Sequence, residues 1–179
     1  MTSNQENSEL QSEAADARGK LLIGQRVTVS GKPVIIPDAF VPPEFARDGF
    51  AANIDFGIKA SQWTPNSLVE NEVQAISKEM CEGGGLRDFR IVQLPKRRNS
   101  TTWVAAIEGT YSYGAWTLAF LEVLILISET PLEADSNGEF LVHVTGTHIL
   151  SDGMARSAIR SAMSSICIDG APMLSSLQS

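Results

Sequence analysis

The chain has 179 residues, of which 43% are hydrophobic and 20% charged, with a net charge of −7. That is enough for one domain with a self-sufficient core. The acidity argues against duplex nucleic acid as a partner. Two cysteines, Cys81 and Cys167, belong to no CxxC pair, and only His143 and His148 are at hand to join them. No zinc-site spacing results, so neither a metal nor a cofactor is expected. Whether the two thiols pair stays open. The longest apolar run, from Ala115 to Ile127, contains Glu122 and falls short of the roughly 20 residues of a membrane-spanning helix. No membrane insertion is expected.

Residues 1–18 carry Glu6, Glu9, Glu13 and Asp16 against a single basic side chain, Arg18. They lack the basic start, apolar stretch and cleavage site of a secretory leader, so a cytoplasmic setting is expected. They read as a disordered acidic tail, with a short helix over 9–17 allowed by propensity. A single domain is expected over 19–169, with a C-terminal tail over 170–179 onto which Met173 and Leu174 are able to dock. Leu21-Leu22-Ile23 and Val27-Thr28-Val29, the turn Ser30-Gly31-Lys32-Pro33 and Val34-Ile35-Ile36 spell a hairpin. Pro37, Pro42 and Pro43 are expected to break the strand, with a helical turn beginning near Pro42-Pro43-Glu44.

Ile54 and Phe56 alternate with polar residues and predict a strand over 50–58. A helix is expected from about Pro65 to Met80, capped by Thr64. Leu68, Val69, Val73, Ile76 and Met80 form its apolar face, with Glu70, Glu72 and Glu79 on the others. Gly83-Gly84-Gly85 stops it. Four strands follow, over 88–94, 102–111, 116–127 and 139–148. The basic run Lys96-Arg97-Arg98 reads as a solvated hairpin tip. The third strand is apolar on both faces and should be central and covered twice. A last helix over 152–165, capped by Ser151 or Asp152, offers Met154, Ala155, Ala158, Ile159, Ala162 and Met163 inward, with Arg156 and Arg160 outside. The expected class is α+β: an antiparallel sheet flanked by helices, an α/β/α sandwich.

No residue pattern signals catalysis. The triple glycine follows a helix and lacks a phosphate-loop lysine. His148, Ser151 and Asp152 lie together but without a nucleophile elbow. His143 and His148 are five apart on one strand and so face opposite sides. Asp55, Glu108 and Glu122 fall inside strand patterns, where exposed edge positions are the plain reading. Glu122 stands out, because its apolar neighbours require a pocket, an arginine or a raised pKa. For Trp63, Trp103, Trp116, Tyr111 and Tyr113, cross-strand aromatic packing is the default reading, and a binding surface around the turn after Tyr111 is the alternative. The candidate binding residues are Trp103, Tyr111, Tyr113, Trp116 and Glu122.

Phe50-Ala51-Ala52-Asn53-Ile54, the Gly-rich link into Phe89-Arg90-Ile91, and Ala105-Ala106-Ile107-Glu108-Gly109-Thr110-Tyr111 before a long apolar strand and a closing helix are together similar to the actinobacterial LpqN/LpqT-type lipoprotein family. The resemblance spans about residues 51–168. It implies a Mog1/PsbP-like sandwich and a binding role, with no catalytic residues to carry over. The exported leader and lipid-anchored cysteine of that family are not recognised here, which detaches the resemblance from an envelope role. The sequence therefore favours a non-catalytic, chaperone-like adaptor that offers its sheet face or aromatic hairpin to a protein partner. The alternative is a small-molecule binder with a pocket between sheet and helix, near Glu122 and the tryptophans. An enzyme would need Glu108 or Glu122 to meet His143 or His148 at a pocket. A homodimer through an exposed edge of strand 116–127 is compatible with the pattern.

Overall fold

Alternation of side chains on two faces is the constraint that shapes this protein. The computed structural model describes residues 23–29, 32–40, 46–47, 50–79, 85–168, 171–172 and 174. In chain order the strands are β1 (Ile23–Val29), β2 (Lys32–Phe40), β3 (Ala46–Arg47), β4 (Phe50–Ala51) and β5 (Asn53–Ala60). A 3₁₀ turn (Pro65–Ser67) leads into α1 (Leu68–Glu79), followed by β6 (Leu86–Asn99), β7 (Thr102–Tyr113), β8 (Trp116–Ile127) and β9 (Phe140–Ile149). Helix α2 (Gly153–Ser165), β10 (Cys167–Ile168) and β11 (Ala171–Pro172) complete it. Seven strands form one antiparallel sheet in the order β1-β2-β5-β9-β8-β7-β6.

One face packs on α2. Leu121, Val123 and Ile125 of β8 meet Val104 and Ala106 of β7, Val144 of β9, and Ile159 and Met163 of the helix. The other face packs on α1, where Leu124 and Leu126 meet Leu68, while Phe120 and Ile107 meet Ile76. The architecture is the expected α/β/α sandwich, with β8 covered on both faces. Its odd and even residues each bury apolar area worth roughly 1.5–3 kcal/mol per large side chain.

Local signals set the boundaries. Thr64 accepts from the Ser67 amide at 3.2 Å, and the Ser67 hydroxyl accepts from the Thr64 amide, a reciprocal cap that starts the turn into α1. Asp152 caps α2 by accepting from the Met154 and Ala155 amides. Gly85 sits at φ 79° immediately before β6, a conformation that favours glycine.

Several expectations need correction. β2 continues through Pro37 to Phe40, because Pro37 lies opposite Gly24 in the register with β1. Lys96, Arg97 and Arg98 form no hairpin tip. They extend β6, whose pairing with β7 reaches Asn99↔Thr102, and Arg97 pairs with Glu133. β6 is an outer strand of the described sheet, and its basic residues and repeated register shifts blunt that edge against further pairing. β8 is paired on both sides, which removes residues 116–127 as an edge for a second copy. Met154 is 65% exposed, since α2 is still at its first turn and overhangs the sheet. Arg160 turns inward to Glu108. Leu174 docks into the α2-side core. The N-terminal tail, the turn near Pro42-Pro43, Cys81, Gly83 and Gly84 lie outside the described residues.

The clearance between α2 and the sheet is tight at one point. A Cβ on Gly146 would stand 2.4 Å from Ile159 Cγ2, whereas a Cβ on Gly153 meets nothing within 4 Å. Gly146→Ala is expected to destabilise the fold by about 1–3 kcal/mol through overpacking. Gly153→Ala is expected to cost nothing or to stabilise by about 0.4–1 kcal/mol. Urea unfolding of the two variants beside the parent checks both signs.

Candidate functional site

Among the described residues, each face of the sheet carries a cluster of charged side chains. On the α1 face, Glu122 projects from the middle of β8 and is 3% exposed. Its Oε1 accepts from the Thr145 hydroxyl at 3.1 Å and lies 3.3 Å from His143 Nδ1. A carboxylate can only accept, so Nδ1 carries the proton in that contact. His143 keeps its place because Gly57, directly opposite on β5, has no side chain: a Cβ there would lie 1.9 Å from Nε2. Helix α1 adds Glu72, which is 4% exposed. It sits on the buried stripe between Leu68 and Ile76, four residues from each, and is not on an outer face as its charge suggested. Lys59 Nζ donates to Glu72 Oε2 at 3.3 Å and stands 4.8 Å from the centre of the Trp63 ring.

The charges respond to this packing. Burial, then the nearby Glu122, raises the Glu72 pKa against the pull of Lys59. The hydrogen bond to Glu122 raises the His143 pKa despite partial burial. One ligand atom each from Glu72, Glu122 and His143 lies within 4.8 Å of the other two.

On the α2 face a cavity of about 340 Å³ opens between the first half of the helix and the strands. Its walls include Asp88, Arg90, Glu108, His148, Arg156 and Arg160. The floor is small: Ala119 lies opposite His148, and Thr110 opposite Ala119. Glu108 holds Arg90 and Arg160 together, the latter at 2.5 Å. Asp88 accepts from the Thr110 hydroxyl at 3.1 Å, from a backbone held at φ 47°. His148 Nδ1 lies 2.9 Å from the Ile149 carbonyl and so donates to it, leaving Nε2 as the acceptor. Burial lowers the His148 pKa, and Arg156 adds to the effect. Glu108 and Glu122 are thus largely buried partners of other side chains and not exposed edge positions.

The aromatic candidates do not gather at one point. Tyr113 faces Trp116 across the turn and is 60% exposed, and Trp116 packs on Phe50. Tyr111 packs on Phe120, with burial raising its pKa. Trp103 lies at the opposite end of β7, about 34 Å from Tyr113 along the strand. Its Nε1 donates to the Leu132 carbonyl and its ring joins the Leu68 core together with Trp63. The two histidines face opposite sides, as their spacing requires. Glu72 had a sequence signal: an acid at the centre of an i, i+4, i+8 apolar stripe. Arg90, Arg156 and Arg160 had none, because they come from distant elements.

The fold is similar to that of LpqN. That protein, involved in cell envelope biogenesis of Mycobacterium tuberculosis, shares 12% identity over 79% of this chain and 73% of its own, with a TM-score of 0.46. A protein of unknown function from Pseudomonas aeruginosa, PA94, shares 16% identity over 82% of this chain and 97% of its own, with a TM-score of 0.45. At such identities the likeness concerns the fold alone. No protein-family model and no curated protein matches the chain. Among the described residues no helix is long and apolar enough to cross a membrane.

The two histidines should leave opposite marks on stability. The His143 pKa is raised on folding, so its contribution is full below about pH 6.5 and fades as pH rises through the folded value. The His148 pKa is lowered, so its contribution is full above about pH 6.5 and fades as pH falls through the folded value. Urea unfolding between pH 5 and 9, on the order of the range spanning both transitions, is expected to show the destabilisation by His143→Gln shrinking with rising pH. That of His148→Gln should shrink with falling pH.

Proposed function

We propose that this protein is a non-catalytic binding domain that takes a small anionic ligand, a carboxylate or phosphate ester, in the cavity between the sheet and α2. The supporting observation is the wall chemistry. Three guanidiniums, Arg90, Arg156 and Arg160, face two carboxylates, Asp88 and Glu108, in a chain whose overall charge is −7. The positive surplus is local and concave, and guanidinium forks suit planar or tetrahedral anions. The volume lies in the range of small-molecule pockets. The pocket between sheet and helix considered on sequence grounds thus belongs with α2, away from Glu122 and the tryptophans.

Acid and histidine do meet in this fold, as an enzyme would need. Glu122 touches His143, and Glu108 and His148 line one cavity. The non-catalytic reading rests on how these groups are engaged. Glu122 lies beneath α1 bound to His143 and Thr145, and it does not line the cavity. The Glu108 carboxylate is taken by two arginines. The exposed thiol of Cys167 suits a reducing, cytoplasmic setting.

A second reading, an adaptor for a protein partner, draws on a different observation. Tyr113, Leu150 and Met154 are 60%, 46% and 65% exposed, and the β7–β8 turn and the β9–α2 junction lie at the same end of the sheet. Exposed apolar residues gathered in this way mark interfaces.

Native mass spectrometry of gently purified protein is expected to show an added mass of a few hundred daltons. Inorganic phosphate or succinate is expected to raise the melting temperature saturably, with Arg156→Gln weakening that response about tenfold or more. A clean apo mass, together with equal responses of parent and variant to both anions, would set the small-ligand reading aside in favour of a protein partner.

A further inference from the structure

We propose that Glu72, Glu122 and His143 form a binding site for a divalent first-row cation, with Zn²⁺ the best match to the donor set. The three ligand atoms lie within 4.8 Å of one another. Four-coordinate zinc with bonds of about 2.1 Å holds its donors roughly 3.4 Å apart, so side-chain rotation of about 1 Å closes the set. One imidazole and two carboxylates form a donor set of the kind that zinc takes, with a fourth position left for water.

The donors are held by three separate packed elements, α1, β9 and β8, and not by a loop. Glu72 and Glu122 have side chains only 5% and 4% exposed. Two carboxylates so deeply placed need compensating charge between them. The metal-free arrangement draws that charge from His143 and from Lys59, both at 3.3 Å. The Lys59 side chain is 41% exposed, so solvent can take over its charge if a cation takes its place at Glu72. One divalent ion would neutralise both carboxylates in a single place, with His143 as a neutral ligand.

The supports of a metal ligand set are also present. Thr145 orients the Glu122 carboxylate by donating to it. The vacant side-chain position at Gly57 seats the imidazole, which any larger residue would displace. Entry is open on the side where Lys59 and His143 reach solvent, with 41% and 33% of their side chains exposed. The cluster lies on the opposite face from the α2 cavity, so its fate is independent of the anion-binding proposal.

Full-length protein freed of metal with EDTA, then titrated with ZnCl₂ in a calorimeter, tests the site. One equivalent is expected to bind. Glu122→Gln and His143→Gln should each weaken binding by about 100-fold or more, since each removes a ligand outright. Lys59→Met should tighten it severalfold by removing the competing ammonium. Co²⁺ in place of Zn²⁺ is expected to give visible absorption bands that Glu122→Gln abolishes. Should Glu122→Gln fail to fold, His143→Gln and Lys59→Met decide the matter. Absence of binding by the parent overturns the proposal. So does zinc binding that is the same in parent and variants, which would locate the ion elsewhere on the chain.

Discussion

The constraint on which this structure turns is a carboxylate placed in a strand that is apolar on both faces. The residues flanking Glu122 from Phe120 to Leu126 are all buried. A charge in that position costs several kcal/mol unless it is paired and hydrogen-bonded. The fold answers with Thr145 and His143 from β9, while Lys59 of β5, held to Glu72 of α1 and to the Trp63 ring, offsets the second buried carboxylate. Gly57 is glycine because His143 occupies the space its side chain would need. The α1 stripe is broken at Glu72, which adds to the negative charge around Glu122.

The two faces handle polarity in different ways. On the α1 side the two carboxylates are buried and engage Lys59 and His143, whose side chains reach solvent. On the α2 side the second half of the helix sits tightly on Gly146 through Ile159, while its first half stands off over Ala119 and Thr110. Gly146 lets Ile159 close on the sheet, and beside that contact Arg90, Arg156 and Arg160 line the cavity. A charge network and an arginine-lined pocket on opposite faces of one sheet are the features on which the proposed binding role rests.

Much of the architecture was legible in the sequence. The apolar positions on both faces of β7 and the doubly apolar run of β8 mark strands buried on two sides. The cap residues Thr64 and Asp152 marked both helix starts. The polar clusters were legible only in part. Glu122 announced itself by its apolar neighbours. The charge of Glu72 suggests an outer residue, although its spacing from Leu68 and Ile76 puts it on the buried stripe. Lys96-Arg97-Arg98 read as a turn for the same reason, since basic side chains also serve on an outer strand. The aromatic residues drew attention by type, yet Trp103 and Tyr113 lie at opposite ends of one strand. The arginine-lined cavity is a product of tertiary structure, and no local pattern encodes it.

The central claim is that Glu122 is held in the core by its pairing with His143. A double-mutant cycle of Glu122→Gln and His143→Gln, read by urea unfolding at about pH 6, where histidine is largely protonated, tests it most directly. A favourable coupling of about 0.5–3 kcal/mol is the result this account requires. Destabilisations that add to within roughly 0.3–0.5 kcal/mol would contradict it, showing that the carboxylate and the imidazole are neighbours without dependence on each other.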